Sequence, residues 1–160
     1  MRSETAAPAL VLAGSLALLA GAYGFEYFGG LMPCEMCWWQ RWALMAAALL
    51  AGGALLLGRL APAIKLRAAA WAAILGLGGN AAIALFHAGV EQKWWQGLTR
   101  CAVPPLAGDA RSMMADILAQ PLVRCDAIPW QMLGISMAGW NFIVSLMLVG
   151  TATWLMRKPR

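Results

Sequence analysis

Four long apolar stretches divide this chain, and short segments between them carry nearly all of its charge. They run from about Pro8 to Phe28, Trp38 to Leu60, Leu66 to His87 and Trp130 to Trp154. Inside them, ionisable side chains stand only toward the ends, as Glu26, Arg41, Arg59, Arg67 and His87. Peptide groups in hydrocarbon have no water to bond, so an apolar run of roughly 20 residues satisfies them internally as an α-helix. The pattern predicts an all-α membrane protein: a four-transmembrane-helix bundle, one integral membrane domain over residues 1–160. A shorter pattern lies between the third and fourth stretches. From Ala110 to Leu122, the residues Met113, Met114, Ile117, Leu118 and Leu122 recur at helical spacing. That spacing suits a short interfacial helix lying on the membrane surface.

Composition agrees. The chain is 62% hydrophobic and 12% charged, where a soluble domain is about 45–50% apolar and about 25% charged. Lipid is the implied solvent, with no room for a separate soluble domain. Charge then orients the bundle. The N-terminus, the Arg59–Arg67 turn and the end after Trp154 hold Arg2, Arg59, Lys65, Arg67, Arg157, Lys158 and Arg160 against Glu4. The other side mixes Arg41, Lys93, Arg100, Arg111 and Arg124 with Glu26, Glu35, Glu91, Asp109, Asp116 and Asp126. Basic residues in short loops stay on the cytoplasmic side, so both termini are expected there. Topology accounts for the net charge of +5, and no nucleic acid is needed as a partner. Trp38, Trp39, Trp42, Trp94, Trp95, Trp130 and Trp154 fall near span ends as an aromatic belt does, while Trp71 and Trp140 lie deeper as packing residues. The first stretch has a weak charged start and a long apolar run, so it is expected to be a retained span rather than a cleaved signal peptide.

All four cysteines lie on the outer side: Cys34 and Cys37 in the first loop, Cys101 and Cys125 in the second. A CxxC at a helix start can form an exchangeable disulfide, and the positive end of the helix favours a thiolate there. Arg41 would lie one turn beyond Cys37 on the same face, where a guanidinium can hold a thiolate or an oxyanion. Haem attachment would require His after the second Cys, and Trp38 stands there. Structural zinc on four cysteines is an alternative, but an oxidising compartment favours disulfides. Two purely structural disulfides are another, although a bridge closing so short a loop as Cys34–Cys37 adds little stability. Redox exchange fits better. Arg100 and Arg124, each beside a cysteine of the second pair, favour thiolates in that exchange, and Val103-Pro104-Pro105 is a stiff segment suited to presentation or to an ordinary turn.

These residues together resemble the DsbB family of quinone-reducing disulfide oxidases over nearly the whole chain. The most specific likeness is Pro33-Cys34-x-x-Cys37-x-x-x-Arg41, continued by Ala43-Leu44. His87 followed by Gly89-Val90-Glu91-Gln92 and Trp94-Trp95, then Cys125-Asp126 with Trp130 and Leu133-Gly134, extend it. The segment before Cys101 is shorter than in some members. A DsbA–DsbB–quinone chain keeps the bacterial periplasm oxidising, so the resemblance implies a multi-pass inner-membrane enzyme with periplasmic cysteine loops. It implies catalytic roles for Cys34, Cys37, Cys101 and Cys125. A DsbA-like thioredoxin-fold partner would form a mixed disulfide with Cys101, and Cys125 would leave as the thiolate. Electrons would reach Cys34–Cys37 and then a ubiquinone or menaquinone held near Cys37, Arg41 and His87.

Two rivals stand beside this reading. A vitamin-K-epoxide-reductase-like protein would carry its CxxC in the last span, whereas here it comes first. A non-catalytic scaffold would keep its function without Cys37. Of the remaining polar residues, His87 suits either a quinone carbonyl or water at the interface. Asn80 and Asn141 suit interhelical hydrogen bonds. Glu26 and Glu91 are expected to be solvated, and Gly76, Gly78 and Gly79 to permit close helix approach.

Overall fold

The computed structural model describes residues 3–60, 63–98 and 123–158. Four helices, α1 (Ser3–Tyr27), α2 (Glu35–Leu60), α3 (Ala63–Glu91) and α4 (Met137–Arg157), are each long and apolar enough to cross a membrane. A two-residue-per-strand hairpin, β1 (Gln131–Met132) and β2 (Ile135–Ser136), precedes α4. The expected four-helix membrane bundle is the fold. Cys101, its Arg100 and Pro104-Pro105 neighbours, and the interfacial helix expected over Ala110–Leu122 lie outside the described residues.

The bundle core is built from small and aliphatic side chains. Leu44, Ala47 and Ala51 of α2 meet Ala70, Ala73, Ile74 and Leu77 of α3, with Val11 from α1 and Ala152 and Met156 from α4. Between helices in lipid there is little hydrophobic drive, so close backbone approach through small residues supplies the packing. Gly76 shares in this, since a Cβ there would stand 3.5 Å from Ala47. Gly78 and Gly79 have nothing within contact, and the approach expected of them falls to the alanines instead. The outward faces carry Leu49, Leu75, Leu85 and Met147, exposed as lipid-facing residues must be. Trp42, Trp94 and Trp154 are exposed near helix ends, while Trp71 packs on the core.

Helix limits depart from the hydropathy pattern where capping takes over. The fourth span, expected from Trp130, begins at Met137. Leu133 and Gly134 both have positive φ, 54° and 76°, as a two-residue type I′ turn requires, and the chain folds into the hairpin there. Ser136 then caps α4, its Oγ accepting from the Gly139 N–H at 3.1 Å. The third helix runs past His87 to Glu91 and closes with Lys93 at φ 62°. The Trp94 N–H bonds back to the Gly89 carbonyl at 2.9 Å, the long bond of a left-handed helix cap. Trp95 lies over Gly89, where a Cβ would come within 2.1 Å of the indole, and donates to the Phe86 carbonyl at 2.9 Å.

Helices α3 and α4 are joined in their apolar middle by amides, as the sequence suggests. Asn80 Nδ2 donates to Asn141 Oδ1 at 3.1 Å and to Ser145 Oγ at 2.9 Å. Such bonds in a bundle average about 0.6 kcal/mol and reach about 1.7 kcal/mol. Replacing Asn80 by Ala should lower stability by an amount in that range, read from denaturant unfolding in mixed micelles. An unchanged midpoint would mean that Asn141 and Ser145 hold the helices without it.

Candidate redox site at the outer end of the bundle

The site begins with a helix cap. Pro33 and Cys34 end the α1–α2 connection, and α2 starts at the next residue. Cys34 occupies the N-cap position: its carbonyl receives the Trp38 N–H at 3.2 Å and its Sγ receives the Cys37 N–H at 3.2 Å. Sulfur here takes the role that a serine or aspartate oxygen plays at other helix starts. The cap brings the two CxxC sulfurs to 2.9 Å, the Cys34 thiol donating to Cys37. Both are thiols in this structure. Cys34 is buried and Cys37 half-buried.

Cys125 arrives from the other loop, 1% exposed, in one apolar cluster with Cys34, Met36 and Val90. The Cys34 proton is shared with Cys125 and with Cys37, and those bonds, followed by burial, push the Cys34 thiol well above its ordinary pKa. Cys34 thus stands between the other two sulfurs.

His87, 3% exposed, completes the cluster from α3. Its Nε2 is 3.6 Å from Cys34 Sγ and 3.9 Å from the Glu91 carboxylate. Its Nδ1 is 2.7 Å from Gln40 Nε2. An amide N–H donated to Nδ1 leaves the ring proton on Nε2, facing the sulfur. Gln40 is held in turn, because Asn141 Nδ2 donates to its Oε1 at 2.6 Å, and Asn141 accepts from Asn80. A continuous chain of side-chain amides therefore runs from the middle of the bundle to the histidine. Gln40 is a site residue whose role the sequence reading missed. Its signal was a polar side chain inside an apolar span, which is rare without a buried partner.

Two carboxylates correct the expectation of solvent exposure. Glu91 is 6% exposed and accepts the Ser136 hydroxyl, which ties the end of α3 to the start of α4. Glu26 pairs with Arg41. Arg41 is 4% exposed, and its other nitrogen donates to the Ala22 carbonyl at 3.2 Å. Its guanidinium lies over the rings of Tyr23 and Trp38, at 4.6 and 5.0 Å. An unpaired charge at this depth would cost several kcal/mol, so Glu26 is what allows Arg41 to be there. His87 likewise takes an amide partner rather than interfacial water.

Cys37, Gln40, Arg41 and His87 form the polar end of a cavity of about 640 Å³. Its walls are apolar, with Ala22, Phe25, Leu44, Met137 and Val144 among them. Size and lining match a pocket for a drug-sized, largely apolar molecule with a few polar groups. A head group carrying two carbonyls would meet donors from Arg41 and Gln40 there and a sulfur from Cys37, so the residues present fit a quinone. Outside the membrane, Asp126 fixes the stretch after Cys125. It accepts from Arg124 at 2.9 and 2.8 Å and from Lys93 at 2.6 Å.

A four-helix membrane bundle with cysteines from two loops gathered at one end has the make-up of a membrane thiol–disulfide oxidoreductase. Comparison with known proteins makes the assignment narrower. The family model for DsbB, disulfide bond formation protein DsbB, matches residues 4–155, and the chain belongs to that family. It is 31% identical to disulfide bond formation protein B of Acinetobacter baylyi, over 93% of this chain and 88% of the relative. It is 32% identical to that of Verminephrobacter eiseniae, over 88% and 78%, and 31% identical to that of a Shewanella species, over 87% and 83%. No solved structure matches the chain significantly.

The ion pairs of Asp126 predict a pH dependence for the Cys125 segment. The Arg124 guanidinium first, and Lys93 with it, hold the Asp126 carboxyl far below its ordinary value of 3.8. A depressed carboxylate stabilises the fold fully above the unfolded pKa, and that contribution fades as pH falls toward the folded value. A carboxyl-carbon NMR titration should therefore give a midpoint well below 3.8, returning to the ordinary range when Arg124 and Lys93 are both replaced by Met. A midpoint near the ordinary value in the unaltered chain would contradict the pairing.

Proposed function

We propose that this chain is a quinone-dependent protein disulfide oxidase of the bacterial inner membrane, with both termini cytoplasmic and both cysteine loops periplasmic. Its partner is a DsbA-like thioredoxin-fold protein carrying a dithiol. A partner thiolate attacks the Cys101–Cys125 disulfide at Cys101, forming a mixed disulfide and expelling Cys125 as thiolate. The partner's second thiol then resolves the mixed disulfide, and the partner leaves oxidised.

The electrons next cross between the loops. Cys125 attacks Cys34 of an oxidised Cys34–Cys37 pair and displaces Cys37 as thiolate. Cys101 then closes on Cys125 and releases Cys34, which leaves the first pair as a dithiol. The observation that carries this path is the burial of Cys125 against Cys34, with Cys37 next to it on the cavity. Cys37, Gln40 and Arg41 would hold a quinone, ubiquinone or menaquinone, which would supply the acceptor for two electrons and two protons. Arg41 orients the acceptor's oxygen, and its pairing with Glu26 keeps the guanidinium in place without a net charge in the wall. The His87 Nε2 proton, fixed by Gln40, faces the sulfurs and stabilises thiolate there.

Purified chain, given a reduced thioredoxin-fold partner and soluble analogues of both quinone types, should reduce quinone with one partner disulfide formed per quinol. Cys37→Ser should reduce this turnover to background. Turnover that persists in Cys37→Ser would remove Cys37 from the path. Absence of turnover in the unaltered protein, with both pairs inertly bridged, would favour the scaffold reading.

A further inference from the structure

The cluster around Cys34 has a second chemistry that disulfide exchange does not use. The Sγ atoms of Cys34 and Cys37 and the imidazole nitrogen of His87 all lie within 4.8 Å of one another. Zinc binds thiolate sulfur at about 2.3 Å and imidazole nitrogen at about 2.0 Å, so neighbouring donors of a tetrahedral site stand roughly 3.5–3.8 Å apart. The Cys34–His87 separation is already 3.6 Å. The two sulfurs, at 2.9 Å, need to part by about 0.9 Å, so ligation requires the half-buried Cys37 side chain to turn away from Cys34. Cys125 is buried beside Cys34 but lies outside that group of three, so it would have to move toward the ion to supply a fourth donor.

We propose that the fully reduced form of this site binds one soft d10 divalent cation, such as zinc, through Cys34, Cys37 and His87, with Cys125 as the fourth ligand. The surroundings suit it. Ligation at Nε2 puts the ring proton on Nδ1, so Gln40, whose amide nitrogen now lies 2.7 Å from Nδ1, must turn its oxygen there to accept it and orient the imidazole as metal-bound histidines are oriented. The Glu91 carboxylate lies 3.9 Å from His87 Nε2. The two nearby arginines are each offset by a carboxylate, Arg41 by Glu26 and Arg124 by Asp126. Binding moves no electrons. Each ligating thiol gives up its proton to solvent, and the cation holds the resulting thiolates.

The consequence for turnover rests on the oxidase reading: a metal-held dithiolate cannot become a disulfide until the ion leaves, so the cation would trap the enzyme in its reduced state. The binding itself does not depend on that reading. The inference can therefore be tested with neither partner nor quinone present. The full chain in lipid nanodiscs would be reduced with a phosphine, freed of it without oxygen, and titrated with Cd²⁺ while the sulfur-to-cadmium ultraviolet band is followed. Zinc competition with a chromogenic chelator gives the affinity. One ion per reduced chain is expected, with none bound once the cysteines are oxidised. Cys34→Ser should lose the band, and His87→Ala should bind more than about tenfold more weakly. Comparing oxidised with reduced unaltered protein needs no variant and so keeps the test free of misfolding. No band in reduced, helical protein, or an unchanged titration in both variants, would overturn the proposal.

Discussion

A polar side chain buried in this bundle finds no partner in lipid, and among the described residues only Ser15 Oγ and Asn80 Oδ1 are buried without one inside the protein. That constraint organises the site. Asn80 on α3 binds Asn141 on α4, Asn141 binds Gln40 on α2, and Gln40 binds His87 back on α3. The chain of amides stitches three helices together and ends on the imidazole that faces Cys34. Breaking it midway would leave a buried amide unsatisfied, at a cost of about 1–3 kcal/mol, and would free the ring to turn. The helix packing and the position of the histidine are therefore one feature rather than two.

The same end of the bundle separates an aqueous side from a lipid side. Lys93, Arg124 and Asp126 anchor the Cys125 segment by exposed ion pairs, while Ser136 and Glu91 tie α4 to α3 beneath it. Cys125 thus reaches the buried cluster from the water side. Cys37 and Arg41 face the apolar cavity on the other. Cys34, capping α2 with its own sulfur, lines that cavity too and packs against Cys125. An arrangement of three sulfurs in this order suits transfer of a disulfide from cavity to loop without exposing the inner pair.

Much of this was legible in the sequence. The four spans follow from apolar runs of sufficient length, and the bonding of Asn80 to Asn141 from the poverty of polar groups between them. CxxC at a helix start already implied that Cys34 and Cys37 lie close together, while the cap made by the Cys34 sulfur came from the structure. What hydropathy could not convey was tertiary pairing. Glu26 and Glu91 look solvated because each sits at a span end, yet Arg41 and Ser136 hold them inside. Trp130 to Ile135 is apolar enough to pass for helix, but the positive φ values of Leu133 and Gly134 turn it into a hairpin. Gln40 reads as an ordinary interfacial glutamine until its two partners, far away in sequence, are known.

Disulfide transfer in this bundle depends most directly on the order of the three sulfurs, with Cys125 meeting Cys34 rather than Cys37. Its sharpest test is peptide mapping of the disulfide formed when Cys37→Ser protein, carrying Cys101→Ser as well, is oxidised gently in nanodiscs. A Cys34–Cys125 bridge should form in nearly every chain. Two cysteines that stay reduced, or that pair only between molecules, would contradict it.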